Sequence, residues 1–244
     1  MEIEDLKNIY AYYDSVHYEQ NKFTAWYSND LNIMGGLCVD QPEKQKFFAY
    51  ATIYNTVMDV DKKVKFSAHE AAKYGDVSAL KDWRPLEEPS ENEWKAGYYI
   101  ENAIYRVGTL WDLLAQLFNI QQNYGKPFDK VYAEQLFHDA QQGKHPNAFA
   151  KKVYDYISQK NDDSGELFKG THCYIKGFRD KLTHRYSPNV SSISNYAAEL
   201  RQPSLYVLYR LTEDYLQVSI FLDEIFSDIL KEYDDLSYPE IEGE

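Results

Sequence analysis

Apolar residues recur along most of the chain at spacings of three and four, and no sustained alternation of apolar and polar residues is present. Such spacing places apolar side chains on one face of a helix, whereas alternation would indicate a strand. The pattern therefore predicts an all-α protein. It predicts helices over residues 3–20, 42–59, 93–119, 128–141, 147–159 and 203–233, with a basic helix between the last two.

Residues that favour helix ends set the expected boundaries. Pro42 suits the first turn of a helix, and Ser90 with Glu93 has the spacing of a capping box. A second capping box is predicted at the head of the basic helix, from Asp163 and Glu166. The segments 22–40 and 61–89 are predicted to be irregular, with a short helix near 69–74 in the second one.

The long helix over 93–119 has one broad apolar face and a second stripe of different character. An apolar face of this width must pack against other helices. The second stripe is either an exposed face or one wall of a site. Its members are Glu101, Gly108, Asp112, Gln116 and Asn119.

These elements predict a four-helix, up-and-down bundle core with additional N-terminal helices. The expected division is an N-terminal helical extension over 1–90 that packs on the core, a helical domain over 91–235, and an acidic tail over 236–244. No apolar run is long enough to cross a bilayer and no signal peptide is evident, so we expect a cytoplasmic protein without membrane contact.

The chain is acidic, with 26 Lys and Arg against 39 Asp and Glu and a formal charge of −13. This balance argues against a protein that coats nucleic acid, because such binding depends on many cations. The charge is unevenly placed: residues 223–244 carry −8, whereas residues 166–186 carry +3. A local phosphate site therefore remains compatible with the composition.

Metal and cofactor chemistry has little support in the sequence. Cys38 and Cys173 lack the spacing of a zinc site or a disulfide framework. His138 and Asp139 are separated from His145 by a predicted helix break at Gly143, and no glycine-rich phosphate loop is present. We expect neither a metal nor a cofactor.

The basic helix carries the residues with the clearest chemistry. At about 100° per residue, one arc holds cations, histidines and a carboxylate, while Ile175, Phe178 and Leu182, with Leu167 and Phe168, form a buried side. The residues on or beside the polar arc are Arg179, Asp180, His184, His172, Lys176 and Thr183. Asp180 and His184 are four residues apart, so the carboxylate can orient the imidazole.

The string Arg179-Asp180-Lys181-Leu182-Thr183-His184 resembles the Arg-x4-6-His motif of the HEPN superfamily (higher eukaryotes and prokaryotes nucleotide-binding). The resemblance covers roughly residues 91–235. It points to an uncharacterised bacterial branch with extra N-terminal helices. It implies a homodimer that cleaves RNA without metal in a composite cleft. Arg179 would stabilise the phosphate, His184 would act as acid or base, and Asp180 would orient His184 or contact the substrate. His172, Lys176 and Thr183 would contact the substrate.

Other interpretations remain open at this level. Tyr186 completes an Arg-x4-His-x-Tyr pattern that resembles HEPN toxins, in which a nucleotidyltransferase antitoxin modifies the tyrosine. The resemblance also fits inactive HEPN proteins that bind nucleotides or protein partners in toxin–antitoxin or defence systems. The simplest alternative is that Arg179, Asp180 and His184 form only a salt bridge and a helix-end charge.

Overall fold

The computed structural model describes residues 3–18, 42–142, 146–162, 164, 169–184, 187–193 and 198–232. Within these ranges the chain forms eight α-helices, one 3₁₀ turn and a pair of short strands. The helices are α1 (Ile3–Ser15), α2 (Pro42–Tyr74), α3 (Ser78–Lys81), α4 (Glu91–Gln121), α5 (Ala133–Gln142), α6 (Ala148–Ile157), α7 (Thr171–His184) and α8 (Ser204–Glu232). The all-α prediction is confirmed, and the HEPN-like bundle stays a prediction.

Helix α4 is the centre of the packing. Helices α2 and α8 lie along it, α5 and α7 also contact it, and α1 packs against α2 and α8. A single cluster of buried apolar side chains connects all of these helices, so residues from both sides of position 90 share one core. No helix in the described part of the chain is long and apolar enough to cross a bilayer.

Helix α2 extends well past its predicted end near residue 59. The buried face continues through Val60, Val64, Ala68 and Ala71, which lie against the core. The intervening charges do not break the helix, because Lys63 and Lys65 form ion pairs one turn back with Asp59 and Asp61. The predicted turn-prone segment is therefore helical as far as Tyr74, and only the region after it is irregular apart from α3.

The capping box predicted before α4 is half correct. The Ser90 hydroxyl accepts the Glu93 amide at 3.2 Å, as expected for an N-cap. The reciprocal hydrogen bond of a capping box, from the Ser90 amide to the Glu93 carboxylate, is not formed. The carboxylate instead accepts hydrogen bonds from the Ser204 amide at 3.1 Å and the Ser204 hydroxyl at 2.7 Å. Glu93 therefore holds the first residue of α8 against the first turn of α4.

Helix α7 begins at Thr171, later than the predicted capping box at 163–166, and most of that segment lies outside the described residues. Asp162 and Lys169 pair their backbones, and Gly170 then turns the chain with a φ of 63°. A Cβ at Gly170 would lie 2.2 Å from the Lys160 carbonyl, so glycine is required at this turn. The α7 residues Ile175 and Phe178 are buried, as predicted.

Three further differences from the predicted elements are local. Helix α1 ends at Ser15 rather than near residue 20. The helix predicted over 128–141 is a 3₁₀ turn, Phe128–Lys130, followed by α5, because the chain extends at Val131 to bury that side chain. Two strands, Ser192–Ile193 and Ala198–Glu199, pair antiparallel before α8 and are too short to give a sequence pattern. The predicted irregular segment 22–40, the side chains of Leu167 and Phe168, and the acidic tail lie outside the described residues.

Candidate functional site

A cavity of about 620 Å³ opens between helices α4, α5, α7 and α8. Helix α7 lines it with side chains from two successive turns, which the helical repeat places on one face. The charged and histidine side chains in its wall include Asp112, Glu134, His172, Lys176, Arg179 and Asp214. Three of the six sequence-predicted residues on α7 therefore face this cavity.

Asp214 is the buried anchor of the cavity, with 1% of its side chain exposed. Its Oδ2 accepts the indole N–H of Trp111 at 3.1 Å, and its Oδ1 accepts the Tyr156 hydroxyl at 3.2 Å. His172 Nδ1 lies 3.2 Å from the same Oδ1. A buried carboxylate needs such partners, and here three side chains supply them.

This arrangement fixes the orientation of His172. The Asp214 oxygen accepts a hydrogen from Nδ1, which leaves Nε2 of the neutral ring as the basic nitrogen. The ring also packs edge-on against Trp111, with centroids 4.7 Å apart, and only 14% of the side chain is exposed. His172 is therefore a largely but not fully buried, oriented imidazole in the cavity wall, and it has the form of a general acid or base.

Arg179 reaches the cavity by crossing α4 at Gly108. A Cβ at Gly108 would lie 2.5 Å from Arg179 Nη1, so the absence of a side chain makes room for the guanidinium. The guanidinium forms no hydrogen bond with any described residue, and its nearest carboxylate is Asp180, 3.9 Å from Nε. Its N–H donors are thus free to bind an anion in two-point geometry.

The remaining charges of the cavity are largely compensated. Lys176 forms a 2.5 Å ion pair with Glu134. The concave surroundings of Asp112 desolvate its carboxylate and raise its pKa, while Arg179 and His172 act in the opposite direction. Arg179 is therefore the cation of the cavity with the most free donors.

The other predicted site residues lie away from this cavity or outside the described structure. Asp180 is 54% exposed and is not part of the cavity wall. Thr183 is exposed, donates to the Arg179 carbonyl at 3.0 Å, and lies 3.3 Å from the Tyr105 hydroxyl. His184 is the last residue of α7, but its side chain lies outside the described residues, as does Tyr186.

Asp214 was not predicted as a site residue. Gly108 and Asp112 belong to the second stripe of α4, for which one wall of a site was one of the two interpretations, and both line this cavity. Asn119 in the same stripe is instead buried and binds the backbone of Lys126. The sequence gives no signal for Asp214, because Arg210, Thr212 and Glu213 precede it closely and make this part of α8 look polar.

Comparisons with known proteins identify no relative. No protein-family model, curated protein sequence or solved structure matches the chain. In the described part of the chain, no group of three or more His, Cys, Asp or Glu side chains is arranged to hold a metal ion. The chemistry of the cavity must therefore be inferred from its own residues.

Proposed function

We propose that this protein is a metal-independent endoribonuclease whose reaction centre is the cavity beside α7. One observation carries the proposal: His172, oriented by the buried Asp214, and Arg179, with its free guanidinium donors, line the same cavity. The two side chains are seven residues apart, about 10.5 Å along the helix axis and on the same face. A base and an anion clamp are the two groups that phosphodiester transesterification requires.

In the proposed step, Nε2 of His172 removes the proton from a ribose 2′-hydroxyl. The 2′-oxygen then bonds to the adjacent phosphorus, the bond from phosphorus to the 5′-oxygen breaks, and the protonated imidazole returns the proton to that oxygen. Arg179 stabilises the negative charge on the phosphate in the transition state. The products are a 2′,3′-cyclic phosphate and a free 5′-hydroxyl.

The charge of the cavity favours a single phosphodiester over a polyphosphate. Arg179 can offset one negative charge, whereas Lys176 is already paired with Glu134. Asp112 lies in the same wall and would repel additional anionic groups. A nucleoside triphosphate would bring several negative charges into this space, so a singly charged linkage in RNA is the better fit.

In this proposal Arg179 has the phosphate-stabilising role that the HEPN resemblance implies, but the general base is His172 instead of His184. Both groups come from one chain, so the cavity does not need a second copy to supply either of them. The resemblance implies a homodimer in which Arg179 and His184 of two copies meet in one cleft, and this arrangement is the alternative form of the same proposal. The antitoxin partner and the modification of Tyr186 also remain proposals that depend on the resemblance.

The test is incubation of purified protein with a labelled single-stranded RNA of mixed sequence in EDTA. We expect cleavage with 2′,3′-cyclic phosphate ends, and we expect Arg179→Gln to lower its rate by about 100-fold or more. Lys181→Gln is the matched control, because Lys181 is on the same helix but pairs with Glu199 outside the cavity. Failure of the wild-type protein to cleave, or equal rates for both variants, would contradict the proposal. RNA or nucleotide binding that needs Arg179 but gives no cleavage would instead indicate the inactive module.

Gly108 offers a second test that does not alter a charged group. In Gly108→Ala the new methyl group takes the space of Arg179 Nη1, so the guanidinium must move away from its present position. We expect cleavage to fall by about tenfold because the guanidinium is displaced. A loss of stability is not the expected cause, because alanine in place of a helical glycine raises the free energy of unfolding by up to about 1 kcal/mol when no clash opposes it.

The matched control is Gly177→Ala, because a Cβ at Gly177 of α7 meets no atom within 4 Å. Initial cleavage rates and urea unfolding of both variants provide the measurement. Normal cleavage by Gly108→Ala would show that the position of Arg179 over α4 is unimportant.

A further inference from the structure

A second cavity, of about 710 Å³, lies at the N-terminal half of α4. The loop before α4 and the segment after α7 form its other walls, through residues such as Leu86 and Val190. It shares no lining residue with the cavity at Arg179. A ligand in this second cavity would therefore not contact the residues of the proposed RNA cleavage site.

One wall of this second cavity is aromatic and open to solvent. Trp94 and Tyr98 are one helical turn apart on α4, and 63% and 54% of their surfaces are exposed. Their rings lie nearly parallel, with centroids 6.2 Å apart and 17° between the planes. These rings add little to the core, and their faces are available to a ligand in the cavity.

The rest of the lining is acidic. Five glutamates line the cavity, and the cation among its lining residues is Arg201. Arg201 is turned into the fold: its guanidinium lies over the Trp83 ring, and Nη2 donates to the carbonyls of Arg84 and Glu87. The glutamates in the lining are Glu87, Glu88, Glu91, Glu93 and Glu101.

Three of these carboxylates already have partners. Glu87 pairs with Arg84, Glu91 pairs with Lys95, and Glu93 binds the start of α8. Glu88 and Glu101 have no cationic partner among the described residues. Glu101 accepts only the neutral amide of Asn189, at 2.5 Å, and burial raises its pKa. A cation brought beside this half-buried carboxylate would stabilise its charged form.

We propose that this cavity binds an organic cation, with a guanidinium or alkylammonium group stacked on Trp94 and Tyr98 and its charge beside Glu101 and Glu88. An aromatic face attracts a cation through its quadrupole, and the adjacent carboxylates add a direct electrostatic contribution. The same surroundings oppose anionic ligands, so a nucleic acid is not the expected occupant. The cation can come from a free amine or from an Arg or Lys side chain of a protein segment.

The test is calorimetric titration of the full chain with three probes. These are agmatine, an end-blocked Gly-Arg-Gly tripeptide, and the matching tripeptide with neutral citrulline in place of arginine. We expect saturable binding of a cationic probe and none of the citrulline peptide. Binding of agmatine would indicate a free amine or guanidine, whereas binding of the arginine peptide alone would indicate a chain segment.

Variants locate the site. We expect Trp94→Ala and Glu101→Gln each to weaken binding of the cationic probe by about tenfold. Tyr12→Ala is the matched aromatic control, since Tyr12 is exposed on α1, and Glu232→Gln on α8 is the charge control. The inference is overturned if the citrulline peptide binds equally, if the two cavity variants bind like their controls, or if no cationic probe saturates below about 10 mM. Because the readout is binding without RNA, it is independent of the proposed nuclease activity.

Discussion

Replacement of His172 by asparagine is expected to lower the rate of RNA cleavage by a factor of about 100 to 10,000. The asparagine side-chain amide can still donate to Asp214, but the residue lacks the basic nitrogen that Nε2 provides. The carboxylate keeps its donors from Trp111 and Tyr156 as well. The free energy of unfolding should therefore change much less than the rate.

The measurement compares initial cleavage rates and urea unfolding for three histidine variants. His138→Asn is the matched control, because His138 lines the same cavity but lies 3.4 Å from Asp139, a carboxylate that is about half exposed. His184→Asn tests the assignment implied by the HEPN motif. A large loss in His184→Asn with a normal rate in His172→Asn would transfer the base to His184 and favour the composite dimer site.

The helices could be predicted because their buried faces repeat in the sequence. Residues such as Ile100, Ile104 and Leu114 are spaced for one face of α4, and all three are buried. The end of α2 could not be predicted in the same way, because Lys62 and Lys63 look like the start of a polar loop. Packing of Val64 and Ala68 decides that region, and this depends on neighbouring helices that local sequence does not specify.

For the candidate site, the residues on one helix could be predicted together, and their partners on other helices could not. The projection of the basic helix placed His172, Lys176 and Arg179 near one another, and all three line the cavity. Residues on one helix have a relation fixed by the helical repeat. Asp214 and Gly108 are on other helices, and their contacts with α7 are made only when the helices pack. Sequence spacing carries no information about such distant pairs.

Arg210 shows how the fold supports the start of α7. It is fully buried on α8, although arginine side chains in soluble proteins are mostly exposed. Its Nε donates to Thr171 Oγ1 at 3.2 Å, and its Nη2 donates to Asn161 Oδ1 at 2.8 Å and to the Lys169 carbonyl at 3.2 Å. The guanidinium therefore joins α8 to the turn that precedes His172.

Replacement of Arg210 by methionine is expected to lower the free energy of unfolding by about 2–4 kcal/mol, because several hydrogen bonds of the guanidinium are lost together. Methionine fills much of the same volume, but the buried Thr171 hydroxyl and the acceptors of Asn161 and Lys169 lose this donor. The change also removes the charge that lies 4.6 Å from the Tyr174 ring. Cleavage should also fall, because His172 follows Thr171 directly and shares the loosened first turn of α7.

Urea unfolding and amide hydrogen exchange across the first turn of α7 measure both effects. Arg106→Met is the matched control: Arg106 is partly exposed on α4, and its hydrogen bonds within the described residues are to Asn102 one turn back, so we expect a loss below about 1 kcal/mol. If Arg210→Met does not fold, Arg210→Lys keeps the charge with fewer donors and should lose about 1–3 kcal/mol. Equal stability of Arg210→Met and Arg106→Met, with unchanged exchange in α7, would mean that Arg210 does not hold this turn. His172 would then owe its orientation to Asp214 and Trp111 alone.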